Sequence, residues 1–348
     1  MPTNRTITVF GAYGHTGRFV ACELRKRGWR PILSGRDAEK LDAVATLFAG
    51  SDVRPASVDD PIALDRALEG AAAVINCAGP FATTAGPVIE AALRAHIPYL
   101  DVAAEIEANL DTFLLYGQPA RDAGIAIMPA MAFYGGLGDL LATAALGDWP
   151  DADEICIAYG LSSWRPTPGT RLAGQVSRQR RDGKRIVFSK GRLEHRTDAA
   201  PLSEWTFPPP LGTQAVIGEF TMADSVTIPR HIRTPEIRSY MTRAAVEDLS
   251  DPDPSPPSPA DESGRSSQSF VVEVVVRSRG LERRAAASGR DIYAVTAPLV
   301  VEAMERALSQ PVAIAGIFSA GEIFDARDFL RSLDPAHLSV AFSGTIPD

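Results

Sequence analysis

The run Gly11-Ala12-Tyr13-Gly14-His15-Thr16-Gly17 constrains the fold more than any other stretch of this 348-residue chain. Its glycines follow a short apolar β-rich run, Ile7 to Phe10, and a helical pattern continues from Arg18 to Arg27. Such a turn brings backbone N–H groups and a helix N-terminus against a phosphate, where a Cβ would collide. The spacing is G-x-x-G-x-x-G, with Tyr13 standing where the commoner G-x-G-x-x-G has glycine. Taken alone, the heptapeptide also reads as an ordinary glycine turn between a strand and a helix.

Context separates the two readings. From Thr6 to about Trp149, short β-rich runs alternate with amphipathic stretches, as parallel strands joined by crossover helices do. Strands are expected at Ile7–Phe10, Pro31–Ser34, Val53–Ser57, Ala73–Asn76, Tyr99–Val102 and Ile125–Met128. Asp37 ahead of Leu41, and Asp60-Pro61 ahead of Leu64, supply helix caps and a helix-start proline. Six strands with five crossovers make an α/β, Rossmann-type doubly wound parallel sheet, in which the glycine turn reads as a dinucleotide site. Gly11, Tyr13, Gly14, His15, Thr16 and Gly17 are then candidate cofactor contacts.

The second strand is expected to end in Leu33-Ser34-Gly35-Arg36-Asp37. A carboxylate at that point accepts from ribose hydroxyls and repels a 2′-phosphate, whereas the hydroxyl of Ser34 and the guanidinium of Arg36 suit the phosphate. NADP is therefore favoured over NAD, although Arg36 could also point to water with Asp37 holding its head. After the fourth strand, Asn76-Cys77-Ala78-Gly79-Pro80 places a small-residue turn on the nicotinamide side. No basic neighbour lowers the pKa of Cys77, which reads as a small packed residue rather than a nucleophile.

Beyond Pro150 the rhythm changes to longer β-rich runs, Glu154–Leu161, Arg185–Phe188, Val216–Phe220 and Phe270–Ser278. They suggest an inserted α+β, mostly antiparallel second domain. The domains expected are 1–149 for the dinucleotide, 150–290 for substrate and dimerisation, and 291–348 returning to the first. Within the second, Ser250 to Ser269 is rich in proline, serine and acidic residues and reads as a flexible surface loop. A helical stripe from Asp291 to Leu308 would carry the chain back.

A net charge of −8 argues against a nucleic-acid partner, and the basic runs Arg178–Arg185 and Arg230–Arg243 read as solvated faces. Cys22, Cys77 and Cys156 form neither a metal-ligand spacing nor a disulfide framework, so no metal is expected and a reducing cytoplasm suits them. The stretch Gly124–Gly138 contains Pro129 and ends at Asp139, too short and broken for a membrane span. The partners expected are a small-molecule substrate and a second copy of the chain, as a homodimer.

Several segments together, GAYGHTGR, LSGRDAEKL, VINCAGPF and YLDVAAE, resemble the saccharopine dehydrogenase-like family of NADP-binding oxidoreductases. The likeness extends through PGTRLAGQ, VTIPRHIRTPEIRSYM and GIFSAGEIFDARDFL. The resemblance implies that Gly11, Gly14 and Gly17 hold the pyrophosphate, Ser34 and Arg36 the adenosine phosphate, and Asn76 to Pro80 the nicotinamide side. It implies an N-terminal Rossmann domain, an inserted α+β domain shaping the substrate site, and relatives that include reductases of lipid-like enoyl groups. After the sixth strand, where the family often reads GFDSVPSD, this chain has Ala132-Phe133-Tyr134-Gly135-Gly136-Leu137-Gly138-Asp139. Tyr134 and Leu137 replace the family's Asp and Pro, so its substrate chemistry does not carry over there.

A short-chain dehydrogenase would need Tyr-x-x-x-Lys, and no tyrosine here has lysine four positions on. By position past the sixth and fifth strands, Tyr134 and Glu105 are the candidates for proton transfer beside the nicotinamide. Tyr134 is alternatively a packed tyrosine and Glu105 an acidic residue of a helix's first turn, while Asp101, inside its strand, reads as structural. His231 could face a cleft, yet a lone histidine is more often structural. The chain is expected to be an NADP-dependent reductase or dehydrogenase for a carbonyl, imine or enoyl group. A cofactor-binding sensor without turnover is the alternative.

Overall fold

The computed structural model describes residues 5–251, 255–310 and 314–343. The chain divides into two compact units. The first holds the residues up to Ala132 together with Gly169–Ser177 and Thr296–Phe318, and the second holds Phe133–Pro168, Arg178–Val295 and the residues from Ser319 on.

In the first unit, strands β1 (Thr6–Phe10), β2 (Arg30–Gly35), β3 (Val53–Pro55), β4 (Ala73–Asn76), β5 (Tyr99–Asp101) and β6 (Ala126–Met128) alternate with helices α1 (His15–Lys26), α2 (Ala38–Ala45), α3 (Pro61–Leu68), α4 (Phe81–Ala95) and α5 (Ile106–Leu115). Ile7, Val9, Ile32, Leu33, Val74 and Ile75 are fully buried, as befits a parallel sheet covered on both faces. All pairings in this sheet are parallel. The sheet has a seventh strand, Gly316–Ile317, beside β6, so its order is Gly316–Ile317, β6, β5, β4, β1, β2, β3. At two residues, that edge strand is too short to leave a periodic trace in the sequence.

The register sets four residues abreast at the carboxyl ends of their strands. Phe10 pairs with Ser34 on one side and with Asn76 on the other, and Asn76 pairs with Asp101. The strand order turns back at β1 and β4, the place where doubly wound sheets bind ligands.

The second unit is built on a nine-stranded sheet. Its main path runs Leu202–Thr206, Thr213–Gly218, Glu236–Thr242, Glu154–Leu161, Ser269–Ser278, Leu281–Arg290, Leu338–Ser343, while Arg185–Ser189 and Arg192–Arg196 branch from Glu236–Thr242. Pairings are antiparallel except between Glu236–Thr242 and Glu154–Leu161. The strand expected at Val216–Phe220 lies instead at Thr213–Gly218, because Glu219 turns to φ +53° and ends it.

The run Arg230–Arg243 is not simply a solvated face. Ile237, Ser239 and Met241 alternate inward along its strand, and a period of two buries one face despite the charges on the other. Leu281–Arg290, rich in arginine and alanine, has no strand propensity of its own; ten paired residues of Ser269–Ser278 impose it.

The helix expected from Asp291 begins at Thr296. Asp291 instead holds a turn, its carboxylate accepting from the N–H groups of Tyr293, Ala294 and Ser266 at 2.7–3.1 Å. Thr296–Ser309 then packs on α1, where Arg27 meets Glu302 at 2.6 Å and Glu305 at 2.7 Å. Between Ser250 and Ser269, residues 255–268 are irregular, with Asp261 accepting from Ser263 and Arg265; residues 252–254 of that stretch lie outside the described residues.

The chain enters the second unit at Phe133 because the helix Gly138–Leu146 packs against Ser269–Ser278 and Leu281–Arg290. Among the described residues, no helix is long and apolar enough to cross a membrane.

Candidate functional site

The turn after β1 is held by backbone. Gly11 N and Ala12 N donate to Ser34 O at 2.8 and 3.0 Å, and Gly14 N donates to Gly11 O at 2.9 Å. Gly11 has φ +85°, where a side chain is strained, and a Cβ there would lie 2.8 Å from Ala78 N. A Cβ on Gly17 would run into the carbonyl oxygen of Gly11. α1 starts from Gly14 with no side-chain cap, which leaves its positive end to a ligand.

The other residues expected at a dinucleotide surround this cradle, all within the first unit. Ser34 is fully buried and its hydroxyl has no hydrogen-bond partner among the described residues, an orphan that a ribose or its phosphate would satisfy. Tyr13 lies along Gly35, where a Cβ would meet its ring at 2.8 Å, and Lys40 Nζ stands 5.8 Å from the ring centroid. Arg36 is exposed. Asp37 is engaged by Lys40, through its backbone N–H at 3.1 Å and its ammonium at 2.9 Å, rather than by Arg36. His15 and Thr16 are half-buried in the first turn of α1, with the His15 ring edge-on to Phe19.

Past β4, Cys77 N donates to Phe10 O at 2.7 Å, tying the Cys77–Pro80 turn to the end of β1. Cys77 and Ala78 are half-buried, Gly79 is exposed, and Gly79–Pro80 is a cis peptide. Burial, with Asp101 nearby, pushes the Cys77 thiol up, so it stays protonated. Asn76 is fully buried, its side chain turned into the sheet rather than outward. An orphan hydroxyl, an uncapped helix start and a cradle with no room for a Cβ are the features a dinucleotide requires, and these residues fit it.

Glu105 is buried and accepts the Phe81 N–H at 2.9 Å, so it caps the start of α4 just past that turn. Burial raises its carboxyl to about 7, with the hydrogen bond from Phe81 opposing the rise. Asp101, also buried, is raised to about 6, held back by N–H groups of Ala103 and Ala130.

Tyr134 belongs to the second unit. It is buried in an aromatic group, with ring centroids 4.9 Å from Phe133, 5.1 Å from Tyr159 and 5.3 Å from Trp164, and its hydroxyl has no hydrogen-bond partner among the described residues. Burial keeps its phenol neutral, with Tyr293 and Asp224 adding to the effect. Beside it, Tyr159 donates to Asp224 at 2.9 and 3.0 Å, and burial lifts Asp224 to about 7. Neither Tyr159 nor Asp224 carries a motif that sequence reading could have found.

His231 also lies in the second unit. Its Nε2 is 2.9 Å from Thr143 Oγ1 and 3.3 Å from Asp139, and its Nδ1 is 3.4 Å from Ser319 Oγ. Ser, His and Asp thus meet, but Ser319 is fully buried and its hydroxyl caps the helix Ala320–Ile323. Burial lowers His231 to about 4 and raises Asp139 to about 7, so both are neutral in the folded protein near pH 6. The group clamps three segments of the unit together.

Residues 7–128 match the family model described as the saccharopine dehydrogenase NADP binding domain. The human saccharopine dehydrogenase-like oxidoreductase is 29% identical over 145 residues, 36% of this chain and 34% of that protein. The trans-acting enoyl reductase of Mycobacterium bovis is 28% identical over 133 residues, 36% of this chain and 32% of that protein. The matched stretch therefore spans about a third of the length of these curated relatives. Apo saccharopine dehydrogenase (L-Glu forming) from Saccharomyces cerevisiae superposes with a TM-score of 0.65 at 12% identity, covering 98% of this chain and 100% of that one, a likeness of fold. Residues 7–128, which carry the glycine cradle and the parallel sheet, are thus similar to the saccharopine dehydrogenase NADP binding domain.

Proposed function

We propose that the chain is an NADP-dependent oxidoreductase that moves hydride to or from a small or lipid-like carbonyl, imine or enoyl substrate. The observation that carries this reading is the cradle itself, where Gly11 and Gly17 leave no space for a Cβ beside the orphaned hydroxyl of Ser34. Gly11, Gly14 and Gly17, with the start of α1 at His15 and Thr16, hold the pyrophosphate. Tyr13, Ser34 and Arg36 take the adenosine end, and Asn76, Cys77, Ala78, Gly79 and Pro80 form the nicotinamide side. The exposed guanidinium of Arg36, with Asp37 paired to Lys40, supports a 2′-phosphate over a bare ribose.

When bound, the dinucleotide supplies the hydride at its nicotinamide C4. The chain's own part is to position the ring and to handle the proton. Glu105 suits proton handling, because a carboxyl at about 7 is part protonated at neutral pH, close to the optimum for a general acid. Tyr134 is the other candidate, its free hydroxyl able to donate to a substrate oxygen. The enoyl reductase among the relatives supports a lipid-like substrate. A homodimer in the cytoplasm remains part of this proposal, and free Cys22, Cys77 and Cys156 suit a reducing compartment.

A second reading, a sensor that binds NADP without turnover, draws on Glu105 already being engaged by Phe81. Titration with NADPH and NADH, followed by assays for substrate-dependent loss of NADPH absorbance, separates the two. We expect NADPH to bind more tightly than NADH, and turnover with an enoyl or carbonyl panel. Tight binding with no turnover across the panel would favour the sensor, and no binding of either nucleotide sinks both.

A further inference from the structure

The three loops that follow β4, β5 and β6 end on one buried hydrogen-bond chain. Ala78 N donates to Asn76 Oδ1 at 3.0 Å, and a backbone N–H can only donate, so the orientation of the Asn76 amide is fixed. Its Nδ2 then donates to the Tyr99 hydroxyl at 3.2 Å and to Thr84 Oγ1 at 3.4 Å. Having accepted from Asn76, Tyr99 donates to Asp101 Oδ2 at 2.8 Å. The other oxygen of Asp101 accepts from Ala103 N at 3.0 Å and Ala130 N at 2.8 Å. Thr84 closes a side branch by donating to Ala78 O at 2.5 Å.

Every member of the main chain of bonds is set in direction, and the side chains of Asn76, Tyr99 and Asp101 are buried. Its far end is Ala78, whose N would lie 2.8 Å from a Cβ on Gly11, so the loop past β4 and the phosphate turn have no slack between them. A loop held this closely shifts if one link is lost, and the exposed Gly79 next to Ala78 shifts with it.

We propose that Tyr99 and Asp101 are positioning residues for the nicotinamide half of the dinucleotide, acting through Asn76 on the Cys77–Pro80 loop. The proposal rests on the NADP reading above. It differs from a role in stability alone, since a purely structural link would affect both halves of the cofactor alike or neither.

The test uses the full chain and two probes, NADPH and adenosine 2′,5′-bisphosphate, which fills the adenosine end only. Tyr99→Phe keeps the ring and removes the link. We expect it to weaken NADPH about tenfold, the equivalent of about one hydrogen bond, while the bisphosphate stays within about twofold. Thr84→Val, cutting the side branch, gives a smaller loss of the same kind and serves if Tyr99→Phe does not fold. If both probes weaken equally, or neither changes, the inference falls while the NADP reading stands. If the unaltered protein binds neither probe, the NADP reading falls and takes the inference with it.

Discussion

The carboxylate of Glu105 accepts the backbone N–H of Phe81 at 2.9 Å, joining the loop after β5 to the first turn of the helix that follows the Cys77–Pro80 loop. One side chain thus has two potential duties, cap and acid, and two substitutions separate them. Glu105→Gln keeps an acceptor for Phe81 and cannot release a proton, so it should melt within a few degrees of the parent and lose kcat by about 100-fold or more. Glu105→Ala loses the cap as well, at about 1 kcal/mol. Undiminished kcat in Glu105→Gln would take Glu105 out of the chemistry.

Gly17 offers a sharper test of the cradle. Since its Cβ would meet the rigid carbonyl of Gly11, Gly17→Ala must push the start of α1 away from the turn. The expected result is loss of NADPH affinity by about 100-fold or more, roughly the worth of the phosphate contacts displaced. An affinity within about threefold of the parent, by calorimetry or fluorescence, would mean that the pyrophosphate lies elsewhere.

This half of the molecule was readable in the sequence because its signals are local. A glycine turn, an aspartate cap and alternating periods each lie within a dozen residues, and β1, β2 and β4 fall where their apolar runs place them. The nine-stranded sheet of the second unit was legible only in part. Leu281–Arg290 becomes a strand through its partner, and Glu236–Thr242 hides its inward residues among charges. The same holds for Asp101 and Asp224, whose importance comes from partners such as Tyr99, Ala130 and Tyr159, contacts that only folding creates.

The buried carboxyl groups set the pH dependence of stability. Burial raises Asp101 to about 6 and Glu105, Asp139 and Asp224 to about 7, above the value of about 4 expected when unfolded. Between those values the folded protein binds more protons, so stability is fullest below about pH 4 for these groups and is lost as pH rises through 6 and 7. His231, lowered to about 4, acts oppositely: the unfolded chain takes its proton first, so its contribution grows as pH rises to about 6.5. The acids held below their usual range, such as Asp261 at about 2, have given their full contribution by pH 5.5. Four raised carboxyls outweigh one histidine, and Tm should fall by several degrees between pH 5.5 and pH 8. Asp224→Asn should flatten the slope. A Tm that is level or rises over that range would contradict the assignment.

Tyr134 is the residue of the second unit proposed to meet substrate. Its hydroxyl is buried with no partner among the described residues while its ring packs on Phe133, Tyr159 and Trp164, an arrangement that costs about 1–3 kcal/mol for the unmade hydrogen bond. Tyr134→Phe keeps the ring contacts and removes the orphan, so the protein should be at least as stable as the parent. If the hydroxyl waits for a substrate oxygen, the same variant should lose kcat/KM by about 10-fold or more while its NADPH affinity stays unchanged. Equal stability with full activity would leave Tyr134 a packing residue and Glu105 the sole proton donor. A drop in Tm would mean that the hydroxyl is bonded in the folded protein, which removes the reason for assigning it to substrate.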